Sequence, residues 1–541
     1  MELILVNGKI KTPEGFAQAV AVENGRVARV GASDEILALK EEKTKVVDLG
    51  GKLVLPGLND SHMHFLNVGY FSQSLDLGGT KSLEEAVELA KKFLEEKQLP
   101  PGKWLEANTW NDDNWAEKRF PTKEDLDRIS TDRPVLFVRV CGHISVVNSK
   151  GLELIGIHKG MDQPKEGEFV VDENGEPTGV LKEMMYRVYE SIPNPTVEDI
   201  KKMLLDTCEE ALKVGLTSVQ TDDFESIPGN NLDDVIRAYT ELTADGKLPL
   251  RVYEQCALPS RARYKLFVDH GYRSGQGNEF FRLGPIKLFC DGSLGARTAW
   301  LSEPYSDDPS TCGFGIYDDP AELFELVEKA HKAGMAAAIH CIGDAAAEQA
   351  VEAIERAVKK YPETKLRHGI VHAQILNPQL MEKIRELDII AYIQPIFIEY
   401  DLHMAESRVG SERIKYSYNW KDLLKSGVRI PFGTDCPVES FDPMPNIYSA
   451  VTRKDLEGQP EEGWYKEQGL TLEEAVAAYT EMPAYASYEE NIKGKIAPGF
   501  LADFTVLERD LYEIPADEIK DVKTAMTIVD GKIRYERGND R

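Results

Sequence analysis

Short apolar runs broken by Asn-Gly and Gly-Gly open the chain: ELILVNGKI, AVAVENGRVARVG and KVVDLGGKLVLPG. Runs of this kind with hairpin dipeptides between them predict short strands. The chain ends in the same way, with GKIAPGFLADFTVLE and VKTAMTIVDGKIRYE. Residues 1–56 and 490–541 are therefore expected to build one small β-sandwich domain from both termini.

From residue 197 the pattern changes. TVEDIKKMLLDTCEEALKVG has apolar positions at three-to-four spacing and closes on Gly215, which predicts a helix. TSVQTDDF, PLRVYEQCAL, GPIKLFCDG, AAAIHCIGD, RHGIVHAQIL, IIAYIQPIF and VRIPFGTDCP read as strands, with helical stretches such as AELFELVEKAHKAG between them. Strands alternating with helices predict a parallel sheet. With LVLPGLNDSHMHF the strands number eight, so the expected fold class is α/β, a (β/α)8 TIM barrel over residues 57–70 and 197–489. Residues 71–196 are too many for one βα loop and contain helix, strand and hairpin patterns. They are expected to form an inserted α+β domain.

Composition narrows the function. The 541 residues are 42% hydrophobic and 29% charged, as in a globular protein with a large core. The net charge of -28 disfavours nucleic acid and anionic membrane surfaces as partners. Seven cysteines in no paired pattern argue against a disulfide framework. No signal peptide and no transmembrane run is read, so a cytoplasmic location is the default expectation.

The chemistry lies at the predicted strand ends. His62 and His64 stand two apart in NDSHMHF, a spacing that turns both imidazoles to one side of a strand. His340 ends AAAIH, His372 ends GIVH, Asp435 ends IPFGTD, and Lys287 lies in GPIKLFCDG. The C-terminal strand ends of such a barrel are where active sites are built. Imidazole and carboxylate together suit zinc and similar cations, which lower the pKa of a bound water to about 7. A lone His-x-His is weak, and a lone histidine after an apolar strand is commonly a packed one. The joint pattern is what points to a metal. Lys287 in an apolar strand must be neutralised, modified or paired, for example with Asp291.

These residues together resemble the amidohydrolase superfamily. The order of His-x-His, Lys, His, His and Asp matches it, and PGLNDSHMHF resembles its opening block. KLFCDGSLGARTA (287–299) resembles the branch that contains N-substituted formamide deformylases. CGHISVVNSKGLELIG (141–156) and GEPTGVLKE (175–183) resemble that branch's insertion, and GKIAPGFLADFTVLE resembles the closing block. The resemblance implies that His62, His64 and Asp435 bind the more buried ion and His340 and His372 the second. Lys287, as an N-carboxylated lysine, would bridge them. It implies two zinc ions, with iron, manganese, cobalt or nickel as alternatives, no organic cofactor, and a homodimer. The expected reaction is hydrolysis of a carbon–nitrogen, amide-like bond of a small molecule by metal-bridged hydroxide, with Asp435 as base then acid, and with Lys287 and His372 also at the reacting centre.

Substrate contacts are expected from His143, from Arg297 (to a substrate carboxylate or to Asp291), and from Trp110, Trp115 and Glu183. Core packing is the alternative for the tryptophans. Cys290, Cys341 and Cys436 adjoin the site residues and are read as packing groups. Rival expectations are a one-metal deaminase of heterocyclic amines, with Lys287 structural, a catalytically idle binding barrel, and a metal-dependent isomerase or decarboxylase.

Overall fold

The computed structural model describes residues 1–538 except 98, 100–101, 140–143, 165–166, 230–231 and 318. The chain forms two compact units. One holds Met1–Phe65, Leu204–Phe224 and Leu232–Arg541, and the other holds Leu66–Met203 and Glu225–Asn231.

The first unit is organised on a parallel sheet of seven strands: β1 (Leu58–Met63), β2 (Leu216–Thr221), β3 (Arg251–Ala257), β4 (Phe281–Phe289), β5 (Ala337–Cys341), β6 (Gly369–His372) and β7 (Ile390–Tyr392). They lie side by side in chain order. β1, β2, β3 and β6 are buried along their whole length, as strands covered on both faces must be. Helices separate consecutive strands. Asp319 and Asn377 cap the helices Pro320–Lys332 and Pro378–Glu386, each with proline in the first turn.

Eight strands were expected and seven form. VRIPFGTDCP is not a regular strand, yet it closes the ring. Ala391 N donates to Arg429 O and Ile393 N to Pro431 O on one side, and Ser61 N donates to Phe432 O and Asp435 N to His62 O on the other. Pro431 has no N–H for a ladder, and Asp435 has φ 59°, outside the β region. Gly433 lets the segment approach. A Cβ there would come within 2.7 Å of the backbone N and O of His62.

The chain ends contribute two further sheets. Leu53–Pro56 pairs antiparallel with Phe504–Leu507, within a six-stranded sheet that also holds Lys9–Thr12 and Thr524–Val529. A four-stranded sheet holds Leu3–Val6 and Ala19–Glu23. Leu5, Val22, Ile10, Val54, Phe504 and Ile528, drawn from both sheets, share one core. Gly215, at φ 91°, lies where a Cβ would meet Thr505 Cγ2 at 2.5 Å. Arg251, at the start of β3, donates from Nε and Nη2 to Asp503 at 2.7 and 3.0 Å, a buried fork-on-fork pair.

The second unit has a six-stranded mixed sheet. Its hairpin pairs Glu168–Val171 with Pro177–Lys182, and the helix Leu83–Lys97 buries Leu83, Ala86, Val87 and Ala90. Among the described residues no helix is long and apolar enough to cross a membrane.

Candidate metal centre

The C-terminal ends of β1, β2, β4, β5 and β6 and the closing segment bring seven ionisable groups together: His62, His64, Asp222, Lys287, His340, His372 and Asp435. His62 Nε2 and His64 Nε2 lie 3.2 and 3.1 Å from Asp435 Oδ1. These three residues each offer a ligand atom within 4.8 Å of the others. The His372 ring centroid lies 6.0 Å from that of His62 and 4.5 Å from that of His340. Lys287, almost fully buried on β4, has its Nζ 3.2 Å from His62 Nε2 and 4.6 Å from the Phe289 ring centroid.

Outer partners fix the ring orientations. Gln255 donates its Nε2–H to Ser61 O at 3.0 Å, so its Oε1 is the acceptor facing His62 Nδ1 at 2.8 Å. Gln394 Oε1 meets His372 Nδ1 at 2.8 Å, and Asp291 Oδ1 meets His340 Nδ1 at 3.1 Å. A ring that donates from Nδ1 presents the Nε2 lone pair to the site, the usual arrangement behind a metal-binding histidine. The His62 lone pair then faces a carboxylate oxygen of Asp435. Two acceptors at 3.2 Å call for a proton or a cation between them. The donor set of imidazoles and a carboxylate suits a divalent transition ion, so the residues present fit the group that the sequence implies.

The electrostatics agree. Burial alone would raise the Asp435 carboxyl, but the His62 and His64 imidazoles beside it hold it well below the ordinary carboxylate range. Burial would lower His64, yet the Asp222 and Asp435 carboxylates on either side push it up to about 10. Burial and the Lys287 ammonium depress His62, and burial and His340 depress His372 well below normal. His372 and Asp435 both adopt positive φ, at 77° and 59°, a backbone cost of the kind concentrated at functional sites.

Asp222, Gln255 and Gln394 were missed in the sequence reading. Asp222 directly follows β2, beside the strand ends that carry His340 and His372, and an acid at that position was the available signal. It, and not Asp291, is the acid paired with Lys287, accepting from Nζ at 2.8 Å. Asp291 is instead committed to His340 and to the backbone N–H groups of Trp300, Ile342 and Gly343.

The expected substrate contacts fare differently. Arg297 does not meet Asp291. It sits partly exposed in a loop and forks onto Asp307 at 3.0 and 3.1 Å. Trp110 and Trp115 are buried in the core of the second unit, with their rings stacked at 5.4 Å. Glu183 is exposed in the second unit, and His143 lies outside the described residues. Cys290, Cys341 and Cys436 are buried thiols.

Residues 45–535 match the amidohydrolase family, and the chain belongs to that family. YtcJ of Bacillus subtilis (strain 168), a protein named as an amidohydrolase, is 35% identical over 526 residues, 96% of each chain. N-substituted formamide deformylase of Arthrobacter pascens is 27% identical, with 99% of this chain and 98% of that enzyme aligned. A crystal structure of an uncharacterized metal-dependent hydrolase from Pyrococcus horikoshii OT3 superposes with a TM-score of 0.78 at 31% identity, covering 95% of this chain and 99% of that one.

Proposed function

We propose that this protein is a metal-dependent hydrolase of the amidohydrolase type that cleaves a carbon–nitrogen bond, of N-formyl or N-acyl character, in a small molecule. The observation that carries the reading is the convergence of His62, His64 and Asp435, with His340 and His372 alongside on neighbouring strand ends. A divalent cation held by these residues supplies Lewis acidity toward a substrate carbonyl and lowers the pKa of a water. Asp435 takes the proton of the attacking water and returns it to the leaving nitrogen, as general base then general acid. His372, kept neutral by burial and oriented by Gln394, faces the centre with its Nε2. The relatives' names agree with hydrolysis, and the Arthrobacter pascens enzyme with a formamide substrate.

A second reading has one observation in its favour. The ion pair of Lys287 with Asp222 suits a lysine kept as an ammonium group, and so a single-ion deaminase of an aminoheterocycle. One experiment separates the two. Zinc-reconstituted protein is incubated with N-formyl amines, N-acyl amines, aryl amides and aminoheterocycles, and the release of amine and ammonia is followed. Amine from formyl or acyl compounds, lost on chelation, supports amide hydrolysis. Ammonia from heterocycles alone replaces it with deamination.

A further inference from the structure

Asp222 has a side chain at the centre whose two oxygens serve two different site residues. Oδ1 meets His64 Nδ1 in a close ion-pair contact, and Oδ2 accepts from Lys287 Nζ at 2.8 Å. The residue is buried at the end of β2. Its neighbour Asp223 is engaged elsewhere, accepting from Thr221 Oγ1 at 2.7 Å and from the Tyr239 hydroxyl at 2.5 Å. Successive residues of an extended segment point opposite ways, so one carboxylate reaches the centre and the other does not.

The other three imidazoles each have an oxygen at Nδ1, from Gln255, Asp291 or Gln394. Asp222 is the fourth such oxygen, and it turns His64 so that Nε2 faces Asp435. It also determines where the Lys287 amine sits beside His62. A carboxylate offers one acceptor oxygen to each partner at once. An amide in its place would offer oxygen to one and N–H to the other. The bond from Lys287 survives carboxylation of the amine, because a carbamate nitrogen keeps one hydrogen.

We propose that Asp222 is the positioning residue of this centre, a single carboxylate that sets both the His64 ring and the Lys287 amine for cation binding. The inference rests on the reading of His62, His64 and Asp435 as a cation site. The test uses the full chain, stripped of metal and titrated with Zn2+ against a competing chelator, then with Co2+ followed by visible absorption. Asp222→Asn is expected to bind Zn2+ about 10–100-fold more weakly, the usual effect of removing a partner behind a ligand, and to change the Co2+ spectrum. Asp222→Glu, which keeps the charge at greater length, is expected to recover part of the affinity. Asp223→Asn, equally buried, is expected to lower the melting temperature and leave the affinity unchanged. Wild-type affinity and spectrum in folded Asp222→Asn overturn the inference and leave the cation reading standing, as does an equal affinity loss in Asp223→Asn. A wild-type chain that binds neither ion overturns both. Should Asp222→Asn not fold, Asp222→Glu decides, and wild-type affinity with an unchanged spectrum there overturns the proposal.

Discussion

At the scale of single residues, the site depends on side chains whose partners leave them little freedom. Asp435 is the proton carrier in the proposed reaction, and its amide analogue keeps the shape while losing the basicity. Asp435→Asn is therefore expected to lower kcat by about 10^2–10^4-fold, with a melting curve close to wild type. A wild-type rate would remove Asp435 from the proton transfer. Gly433 is a different kind of determinant. The Cβ of Gly433→Ala would lie 2.7 Å from the His62 backbone N and O, so either the closing segment or β1 must shift. Overpacking of this kind costs about 1–3 kcal/mol, and the shift falls on a site residue. The expected result is lower stability to urea together with weaker Zn2+ binding, and a change in only one of them would contradict the coupling. The sequence made His62, His64, His340, His372 and Asp435 legible because each ends an apolar run. For Asp222 the signal was its place just after an apolar strand, and Gln255 and Gln394 offered none. Their roles are set by partners far along the chain, and an amide inside VYEQCA looks like any buried polar residue until its oxygen is seen on His62.

At the scale of elements, the helix Pro320–Lys332 is tied to the loop before β6 through a chain of two buried histidines. Ala337 N donates to His368 Nδ1 at 3.0 Å, so His368 carries its proton on Nε2 and gives it to His331 Nδ1 at 2.8 Å. His331 Nε2 then donates to Tyr361 O at 3.2 Å. Burial, with His331 adding to it, pushes His368 down to about 3. The unfolded chain takes up a proton near pH 6.5 that the folded chain refuses until about pH 3. The stabilisation is complete above pH 6.5 and declines as pH falls from there toward 3. Between pH 7 and pH 5 this single group removes about 2 kcal/mol. Urea unfolding at the two pH values should show that loss shrinking in His368→Asn, which keeps an acceptor near Nδ1, and an unchanged loss would contradict the assignment. The alternation of strand and helix was legible at this scale because the two periods differ clearly. The eighth strand was overcounted because VRIPFGTDCP has strand composition but contains a proline and a left-handed aspartate. The NTWNDDNW tryptophans were ambiguous, since the same spacing serves a core and a pocket wall.

At the scale of the whole molecule, residues from the two ends of the chain meet, and Arg251 with Asp503 fastens a barrel strand to the C-terminal sheet. Removing one member of a buried pair strands the other charge. Asp503→Asn is expected to cost about 3–5 kcal/mol in urea unfolding while Zn2+ stoichiometry stays at the wild-type value. Loss of the ion at native conditions would mean that the pair shapes the site as well as the fold. The strand character of both chain ends was plain from their hairpin dipeptides, but pairing between them is a contact across several hundred residues, and no local pattern encodes it. The closing segment carries a consequence for how the molecule comes into being. A chain emerging from its N-terminus presents His62 and His64 early, then Lys287, His340 and His372, and Asp435 only with the piece that bonds to both edges of the sheet. The proposed cation site is thus completed by the same segment that seals the ring. Ion binding at that proposed site would therefore report the last closure of the barrel during refolding, because an unsealed intermediate lacks Asp435 in place.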